Sequence, residues 1–272
     1  MKFTKNASIF KKSRFFTMLA LILAVCMLLS TCLIACNKNP YANDNSFEVE
    51  VIEDENALTF APKDFNYTYG VILYVGAFVS PSEYTYLAEA LATQGYLTVI
   101  PKFPLNMSAA NYTKEEPAFS AYPNVKFFIA GHDQGGGAAI RRAQDSGSKV
   151  AGVLLYSPMI INRRVYDYEQ DRFVEDENGN PVYEPNSIAE RSLPTLWIES
   201  DDVTRTEDIR NKVKENVNMS TVTEYELANS TARGFSTNAA NLTNEEKAQR
   251  QAQLDLTVQY TLRFLKRIVC KR

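Results

Sequence analysis

The residues best suited to chemistry in this sequence are His132 and Asp133, which lie inside a cluster of glycines. His132 is the only histidine among the 272 residues, so any mechanism that needs an imidazole depends on it. The segment Gly131-His132-Asp133-Gln134-Gly135 follows a predicted strand and precedes a predicted helix. Glycines keep side chains from colliding with the backbone at such a tight turn. The sequence therefore predicts a strained turn that carries Asp133, a carboxylate that is ionised at neutral pH.

The elements that must position this turn alternate between strands and helices. Apolar runs predict strands at 69–75, 97–100, 125–130, 150–156 and 193–198, and three further strands are predicted at 47–51, 57–61 and 222–227. Capping boxes at 80–83 and 243–246 predict helix starts, and further helices are predicted after the glycine cluster and at 205–217. This alternation predicts an α/β fold with a mainly parallel central sheet and helices on both faces.

Residues 160–191 interrupt the alternation. They are rich in tyrosine, arginine and acidic residues, and the run from Glu177 to Pro181 is a turn signal. We therefore expect an insertion with a small hairpin over one end of the sheet. Its tyrosines, Tyr166, Tyr168 and Tyr183, either line a ligand pocket or cover the sheet.

The first 36 residues have the layout of a secretory signal. Residues 2–14 are basic, residues 15–35 are apolar without a charge, and the run ends Leu33-Ile34-Ala35-Cys36. This ending resembles the lipobox of bacterial lipoproteins, in which the cysteine is acylated. The motif ending at Cys32 is a weaker second match, and an uncleaved transmembrane helix is the alternative. Either case predicts a protein held at a bacterial cell membrane and facing outside the cytoplasm.

The rest of the chain is predicted to be a flexible tether over 37–46 and one folded domain over 47–272. Residues 1–35 hold five of the 29 basic residues and no acidic ones, so 24 basic residues remain against 32 acidic ones. Nucleic-acid binding is not expected of so acidic a domain. We see no motif for a metal or a cofactor and expect neither. The bilayer, bound through acylated Cys36, is the expected partner, and the sequence does not identify a protein partner.

Residues 70–160 resemble the bacterial α/β-hydrolase fold-5 family. The matching stretches are VILYVGAFVSPSEYTYLAEALATQGYLTVIPKFPLNM, VKFFIAGHDQGGGAAI and KVAGVLLYSP, and weaker similarity continues through LPTLWIESDD into the final helix. Family members carry Gly-His-Ser-x-Gly-Gly at a strand-to-helix turn called the nucleophile elbow. The resemblance implies an α/β-hydrolase fold over most of residues 47–268, and an ancestral chemistry of ester or acyl hydrolysis.

The catalytic residues that the resemblance implies are altered in this chain. Asp133 stands at the position of the family's nucleophilic serine. The family's acid corresponds best to Asp202. If the correspondence is shifted by one residue, the acid is Asp201 instead. Ser230 stands where the histidine is expected, in the stretch Ala228-Asn229-Ser230-Thr231.

Other parts of the implied site are retained. The resemblance assigns the oxyanion hole to the backbone N–H groups of Ala77 and Gln134. His132 is expected to point away from the nucleophile and to pack beneath the turn. Ser157 follows another predicted strand, but as a substitute nucleophile it would lack a base.

The sequence leaves open whether the protein is an enzyme. The first hypothesis is a degenerate hydrolase that keeps a pocket for a small ester-like or acyl ligand, or a surface for a partner protein, and turns over slowly or not at all. The alternative is an active hydrolase like epoxide hydrolases and haloalkane dehalogenases, with Asp133 as nucleophile and Asp202 or Glu226 orienting water. A third, weaker hypothesis is a purely structural envelope protein.

Overall fold

A computed structural model describes residues 46–108, 116–146, 149–167, 169–237 and 241–270 of the chain. The predicted signal segment, Cys36 and Tyr168 lie outside these residues, and so does the predicted tether apart from its last residue. Within the described ranges, no helix is long and apolar enough to cross a membrane.

The described chain is organised around an eight-stranded sheet. Its strands are β1 (Val49–Glu53), β2 (Ala57–Pro62), β3 (Tyr69–Tyr74), β4 (Leu97–Pro101), β5 (Lys126–His132), β6 (Val150–Tyr156), β11 (Thr195–Ser200) and β12 (Val222–Leu227). Their spatial order is β1-β2-β4-β3-β5-β6-β11-β12. The pairs β1–β2 and β2–β4 are antiparallel, whereas the six strands from β4 to β12 are parallel. The predicted, mainly parallel sheet is thus confirmed.

Helices cover both faces of this sheet. They are α1 (Thr85–Ala92), α2 (Glu116–Ala121), α3 (Gln134–Asp145), α4 (Glu207–Asn216) and α5 (Asn244–Val269). Neighbouring side chains of β5 show the two layers, because successive residues of a strand point to opposite faces. The ring of Phe127 contacts that of Phe119 on α2, and the ring of Phe128 contacts that of Phe264 on α5. Both Phe127 and Phe128 are fully buried, so the core extends through the sheet.

One of the two predicted capping boxes forms. Thr243 and Glu246 cap the start of α5 reciprocally, as predicted. At the other site, the side chain of Ser80 makes no cap bond and contacts the hydroxyl of Ser82 at 2.9 Å instead. The segment Pro81–Tyr84 forms a short 3-10 turn before α1 begins. A helical turn therefore begins within the predicted segment, but the predicted cap by Ser80 is wrong.

The insertion contains two small hairpins, formed by β7 (Asn162–Arg164) with β10 (Tyr183–Pro185), and by β8 (Tyr166–Asp167) with β9 (Arg172–Phe173). The predicted turn is present, with Gly179 at a φ of 79°.

The predicted position of the insertion over one end of the sheet stays a prediction, and the described contacts join the insertion to α3. Its hydrogen bonds are made to backbone and side-chain acceptors of α3. The side-chain amide of Asn186 donates to the carbonyl of Gly137 at 3.4 Å, the N–H of Ser187 donates to Gln144, and Arg191 donates to the carbonyl of Ala143. The insertion therefore lies along the helix that follows the elbow.

A buried ion pair joins the carboxyl ends of β6 and β11. Arg205 approaches both carboxylate oxygens of Glu199, with N···O distances of 2.9 and 3.1 Å, and their side chains are 3% and 0% exposed. Trp197 and Ser157 donate to the same carboxylate. Arg205 also donates to the carbonyl of Pro158. These bonds fix the chain just after β6, where it meets the turn that carries Asp133.

Arg205→Met is expected to lower the free energy of unfolding by about 3–5 kcal/mol, because it leaves the carboxylate of Glu199 buried without its cation. Urea unfolding followed by the fluorescence of Trp197, the chain's single tryptophan, measures this loss. The matched variant Lys63→Met removes the cation of an exposed pair with Glu48 and should leave the urea midpoint unchanged. A loss below about 1 kcal/mol in Arg205→Met would mean that the buried pair does not hold these strand ends together.

Candidate active site

Asp133 lies between the end of β5 and the start of α3 in a strained backbone conformation. Its φ is 52° and its ψ is −124°, a region that residues other than glycine rarely adopt. Its N–H donates to the carbonyl of Tyr156 at 3.2 Å, and its carbonyl accepts from Gly136 and Met159 at 2.9 and 2.8 Å. The chain on both sides thus holds the strained residue, whose side chain is only half-buried.

The glycines around Asp133 are required by close backbone contacts. An added Cβ at Gly131 would lie 2.1 Å from the carbonyl oxygen of Gly135. An added Cβ at Gly135 would lie 2.5 Å from the carbonyl oxygens of Tyr74 and Val75. Such distances are far shorter than any real contact, so the turn needs glycine at both positions.

His132 lies beneath the turn and uses both of its ring nitrogens. Nδ1 is 2.7 Å from the hydroxyl oxygen of Tyr84, and Nε2 is 2.6 Å from the carbonyl oxygen of Ala232. A carbonyl only accepts, so Nε2 carries the proton and Nδ1 accepts from the tyrosine hydroxyl. That hydroxyl in turn accepts from the N–H of Gly76 at 2.8 Å. The result is one continuous chain of hydrogen bonds from Gly76 to Ala232.

This environment keeps His132 neutral. The side chain is 2% exposed and packs against the rings of Tyr84 and Phe235. Burial lowers its pKa, and this effect outweighs the opposing influence of the Ala232 carbonyl and of Asp133. The imidazole is therefore not placed to exchange a proton with a group bound at Asp133.

The structure separates the two candidate acids and gives each a different partner. Asp202 accepts from the N–H of Ala232 at 3.0 Å and from both the N–H and the hydroxyl of Thr204. Asp201 accepts from the N–H groups of Asn229 and Ser230 at 2.7 and 2.8 Å. Ser230 is thus brought to Asp201 rather than to Asp202.

These contacts make both carboxylates weak bases. The N–H of Ser230 is the main cause that lowers the pKa of Asp201. Burial works against ionisation of Asp202, but bonds from Thr204 and Ala232 outweigh it and lower the pKa of this carboxyl as well.

The hydroxyl of Ser230 is also committed, because it donates to the carbonyl of Leu227 and accepts from the N–H of Asp201. The side chain is 7% exposed. It therefore offers no proton acceptor to a ligand at Asp133.

The two candidate oxyanion donors flank Asp133. Gln134 is the first residue of α3, and Ala77 lies in the loop after β3. An added Cβ at Gly76 would lie 3.5 Å from the Cβ of Asp133, which brings this loop against the turn. Within the described ranges, neither Ala77 nor Gln134 uses its N–H in a hydrogen bond. Two N–H groups in the segments around Asp133 are thus available for a hydrogen bond.

Two further candidates from the sequence are occupied elsewhere. Ser157 is 1% exposed and donates to Glu199 at 2.7 Å, so it is a buried structural hydroxyl. Glu226 pairs with Arg210 on α4 at 2.8 Å, and its side chain is 54% exposed. The sequence did not indicate the role of Tyr84 as the hydrogen-bond partner of His132, because Tyr84 fits the spacing of an apolar helix position.

Two cavities lie beside α3 on the side of the insertion. The smaller, which we call the elbow cavity, has a volume of about 110 Å³ and is lined by Gln134, Gly137, Ala138, Arg141, Ile161, Asn162, Arg163 and Asn186. The larger, which we call the arginine cavity, has a volume of about 420 Å³ and shares Arg141 and Arg163 with it. Tyr166 lines the arginine cavity, whereas Tyr183 is exposed and lines neither cavity. The described residues contain no group of three or more histidine, cysteine or acidic side chains that could hold a metal ion.

Comparisons with known proteins agree with this architecture. The model of an alpha/beta hydrolase family matches residues 70–161, which span β3 to β6 and the elbow. A candidate lipase from Acinetobacter baumannii has a similar structure, with 16% identity, a TM-score of 0.55, and coverage of 85% of this chain and 95% of that chain. An esterase domain from Rhodothermus marinus gives 16% identity, a TM-score of 0.51, and coverage of 79% and 98%. No curated protein in the comparison matches the chain.

The topology, the elbow and these matches together define the class: the chain has the α/β-hydrolase fold. Over residues 70–161 it resembles the α/β-hydrolase family, so the resemblance predicted from the motifs is confirmed. At such low identities the structural neighbours establish the fold alone.

The neutral His132 predicts a pH dependence of stability. Because its pKa is lowered on folding, the unfolded chain binds a proton below about pH 6.5 that the folded chain does not. The free energy of unfolding therefore does not change with the charge of His132 above this pH. Below it, the free energy of unfolding falls by up to about 1.4 kcal/mol per pH unit. Urea unfolding at a series of pH values measures the slope.

His132→Gln is the control for this slope, since the chain has no other histidine. Protonation of carboxylates with a lowered pKa, such as Asp201 and Asp202, lowers the free energy of unfolding only nearer to about pH 4. The same slope in His132→Gln between about pH 6.5 and 5 would contradict the assignment.

Proposed function

We propose that this protein is a lipid-anchored α/β-hydrolase-fold protein of the bacterial envelope that binds a small ester-like or acyl ligand beside Asp133. It turns this ligand over slowly or not at all. The observation that carries the proposal is the state of His132, the chain's only imidazole, whose two nitrogens are bonded to Tyr84 and Ala232 beneath the elbow.

The chemistry of the elbow supports weak turnover. A serine nucleophile needs a base, and an aspartate that forms an ester needs an activated water to release it. General acid–base assistance contributes roughly 10²–10⁴-fold in rate. Asp201 and Asp202 carry lowered pKa values and are held by backbone N–H groups, so neither replaces an imidazole as base.

Ligand binding has separate support. The N–H groups of Ala77 and Gln134 make no hydrogen bond in the described part of the chain, and the family resemblance assigns them to the binding of a carbonyl oxygen. Gln134 also lines the elbow cavity, so a small acyl group in that cavity would contact one of the two donor residues. Binding and turnover therefore depend on different residues.

The test of this function uses the full chain in detergent with panels of esters, epoxides and alkyl halides. We expect no product above background and no covalent adduct, while esters that bind raise the melting temperature. Asp133→Asn should behave like the wild type in turnover. Asp145→Asn, an exposed change at the far end of α3, is the matched control.

An active hydrolase with Asp133 as nucleophile is the second candidate, and the strained backbone at Asp133 favours it. A φ of 52° is unfavourable for an aspartate, and backbone strain of this kind is common at active sites, where it positions a reactive group. Product or an adduct that is lost in Asp133→Asn, and kept in Asp145→Asn, would establish this candidate and overturn the first. Absence of any adduct with epoxides and alkyl halides would reject it.

The lipid anchor is a further part of the proposal and rests on the motif that ends at Cys36. In a bacterial host fed a labelled fatty acid, the wild-type chain should take up the label, and Cys36→Ser should lose it. Cys32→Ser tests the weaker second motif and should keep the label. An unlabelled, membrane-bound wild-type chain of full mass would instead favour an uncleaved transmembrane helix.

A further inference from the structure

The outer edge of strand β1 has no partner strand in the described part of the chain. β1 lies at one end of the eight-stranded sheet and pairs only with β2. Two of its residues, Val51 and Ile52, are apolar and have exposed fractions of 55% and 43%. Successive residues of a strand point to opposite faces, so apolar side chains are exposed on both faces of the sheet here. An exposed apolar edge of this kind is a template for pairing with another strand.

The ladder between β1 and β2 determines which backbone groups of β1 remain free. At its two ends, the N–H of Lys63 donates to the carbonyl of Glu48, and the N–H of Asp54 donates to the carbonyl of Ala57. Bonded and non-bonded residues alternate along antiparallel strands, so the even-numbered residues of β1 direct their backbone groups to β2. The odd-numbered residues direct theirs outward.

The outward-facing residues of β1 are Val49, Val51 and Glu53. Their N–H and C=O groups make no hydrogen bond in the described part of the chain. Three consecutive positions on this edge can therefore bond to a further strand.

Contacts at both ends of β1 hold this edge in place. The N–H of Phe47 donates to the carbonyl of Thr93 at 2.9 Å, and the ring of Phe47 packs against that of Phe65 at 4.2 Å between centroids. At the other end, Glu53 pairs with Lys102 at 2.8 Å. The edge is thus formed before any partner binds, which reduces the entropy that pairing costs.

We propose that β1 pairs with β1 of a second copy of this chain, antiparallel and with Val51 opposite Val51. Val49 of each copy then lies opposite Glu53 of the other. Every outward-facing residue is opposite another outward-facing residue, so each of these pairs exchanges two backbone hydrogen bonds. The two sheets become one continuous sheet about a two-fold axis.

The charge pattern of β1 selects this register. Glu50 lies opposite Ile52 of the second copy on one face, and Glu53 lies opposite Val49 on the other, so no glutamate within the strand faces another. Sliding the strands by two residues is the smallest shift that keeps the same faces together. Such a shift places Glu50 opposite either Glu50 or Asp54 of the second copy. Like charges directly opposite one another destabilise a strand pair.

The other edge of the sheet lacks this self-complementarity. Strand β12 carries exposed glutamates at Glu224 and Glu226. The antiparallel pairings that overlap most of this strand place Glu224 opposite Glu224 or Glu226 of a second copy. Charge therefore protects the β12 edge from self-pairing and leaves β1 as the edge that a second copy fits.

The interface is small, so we expect a weak dimer. Stable complexes bury roughly 1,200–2,000 Å², which is more than two short strands provide. Acylation of Cys36, as proposed above, would raise the local concentration of copies in the bilayer, although the pairing itself does not require it. β1 is four strands away from β5, a distance of about 19 Å, so the elbow of each copy stays accessible.

Disulfide trapping of the full chain in detergent tests the pairing. The starting chain carries Cys26→Ser, Cys32→Ser and Cys270→Ser, and it shows any background that Cys36 contributes. Val51→Cys places two cysteines directly opposite one another with Cα atoms about 5.5 Å apart, within the range that a disulfide spans. Under mild oxidation we expect a disulfide-linked dimer of this variant and none of the starting chain.

Neighbouring positions test the register. Glu50→Cys or Ile52→Cys alone places the two cysteines diagonally, about 7–8 Å apart, which is too far for a disulfide. Mixing these two variants brings their cysteines directly opposite, about 4.5 Å apart, and should give a linked dimer. Val222→Cys on β12 is the matched control at the other edge, and its yield of linked dimer should be at least about tenfold below that of Val51→Cys.

Val51→Lys tests the contact without a cysteine at that position. Introduced into both members of the Glu50→Cys and Ile52→Cys mixture, it places two ammonium groups opposite one another and should lower the yield of linked dimer about tenfold. An unchanged urea midpoint, followed by Trp197, shows that the variant is folded, as expected for an exposed side chain.

Several results would overturn the inference: no linked dimer of Val51→Cys, equal linking at Val51 and Val222, stronger self-linking at Glu50 or Ile52 than at Val51, or an unchanged yield with Val51→Lys. None of them bears on the proposed function, because ligand binding and turnover at the elbow are measured separately with the ester and epoxide panels.

Discussion

The hydrogen-bond chain from Gly76 through Tyr84 and His132 to Ala232 is the constraint on which the candidate site depends. It joins the loop after β3, the turn before α1, the elbow and the segment after β12. Each donor in it has one acceptor, which fixes the tautomer of the imidazole and holds four separate parts of the chain in one arrangement. The same bonds that build the elbow therefore remove the chain's only imidazole from its chemistry.

Around these hydrogen bonds, some charged groups stabilise the fold and others remain available for binding. Strain at Asp133 is held by Tyr156, Gly136 and Met159, and the buried pair of Glu199 and Arg205 fixes the strand end from which that support comes. Asp201 and Asp202 hold the loop after β12 by accepting from its N–H groups. These carboxylates thus serve the architecture, while the half-buried Asp133 and the donors beside it remain open to a ligand.

The sequence predicted the parts of the fold that follow from local pattern. The continuous apolar run of β6 and the alternating run of β12 were predicted with the bounds that the structure shows, because hydrophobic periodicity alone marks them. The strained turn at the elbow was predicted from its glycines, because a tight turn leaves no room for a Cβ at those positions. The cap at residues 80–83 was wrong, since the side chain of Ser80 bonds to Ser82 instead.

Other features depend on contacts between distant residues, and no local pattern reveals them. Tyr84 and His132 are 48 positions apart, and Ala232 contributes only a backbone carbonyl. The position of the insertion along α3 likewise depends on acceptors at Gly137 and Ala143 that the sequence of residues 160–191 does not encode.

The central claim is that His132 is a neutral, structural imidazole, and nitrogen NMR of this single histidine tests it most directly. With labelled histidine in the full chain, the account predicts one ring with the proton on Nε2 and no titration near its ordinary pKa of about 6.5 while the protein stays folded. A histidine that titrates freely near that pH, or that carries its proton on Nδ1, would contradict the hydrogen-bond chain and return an imidazole to the elbow.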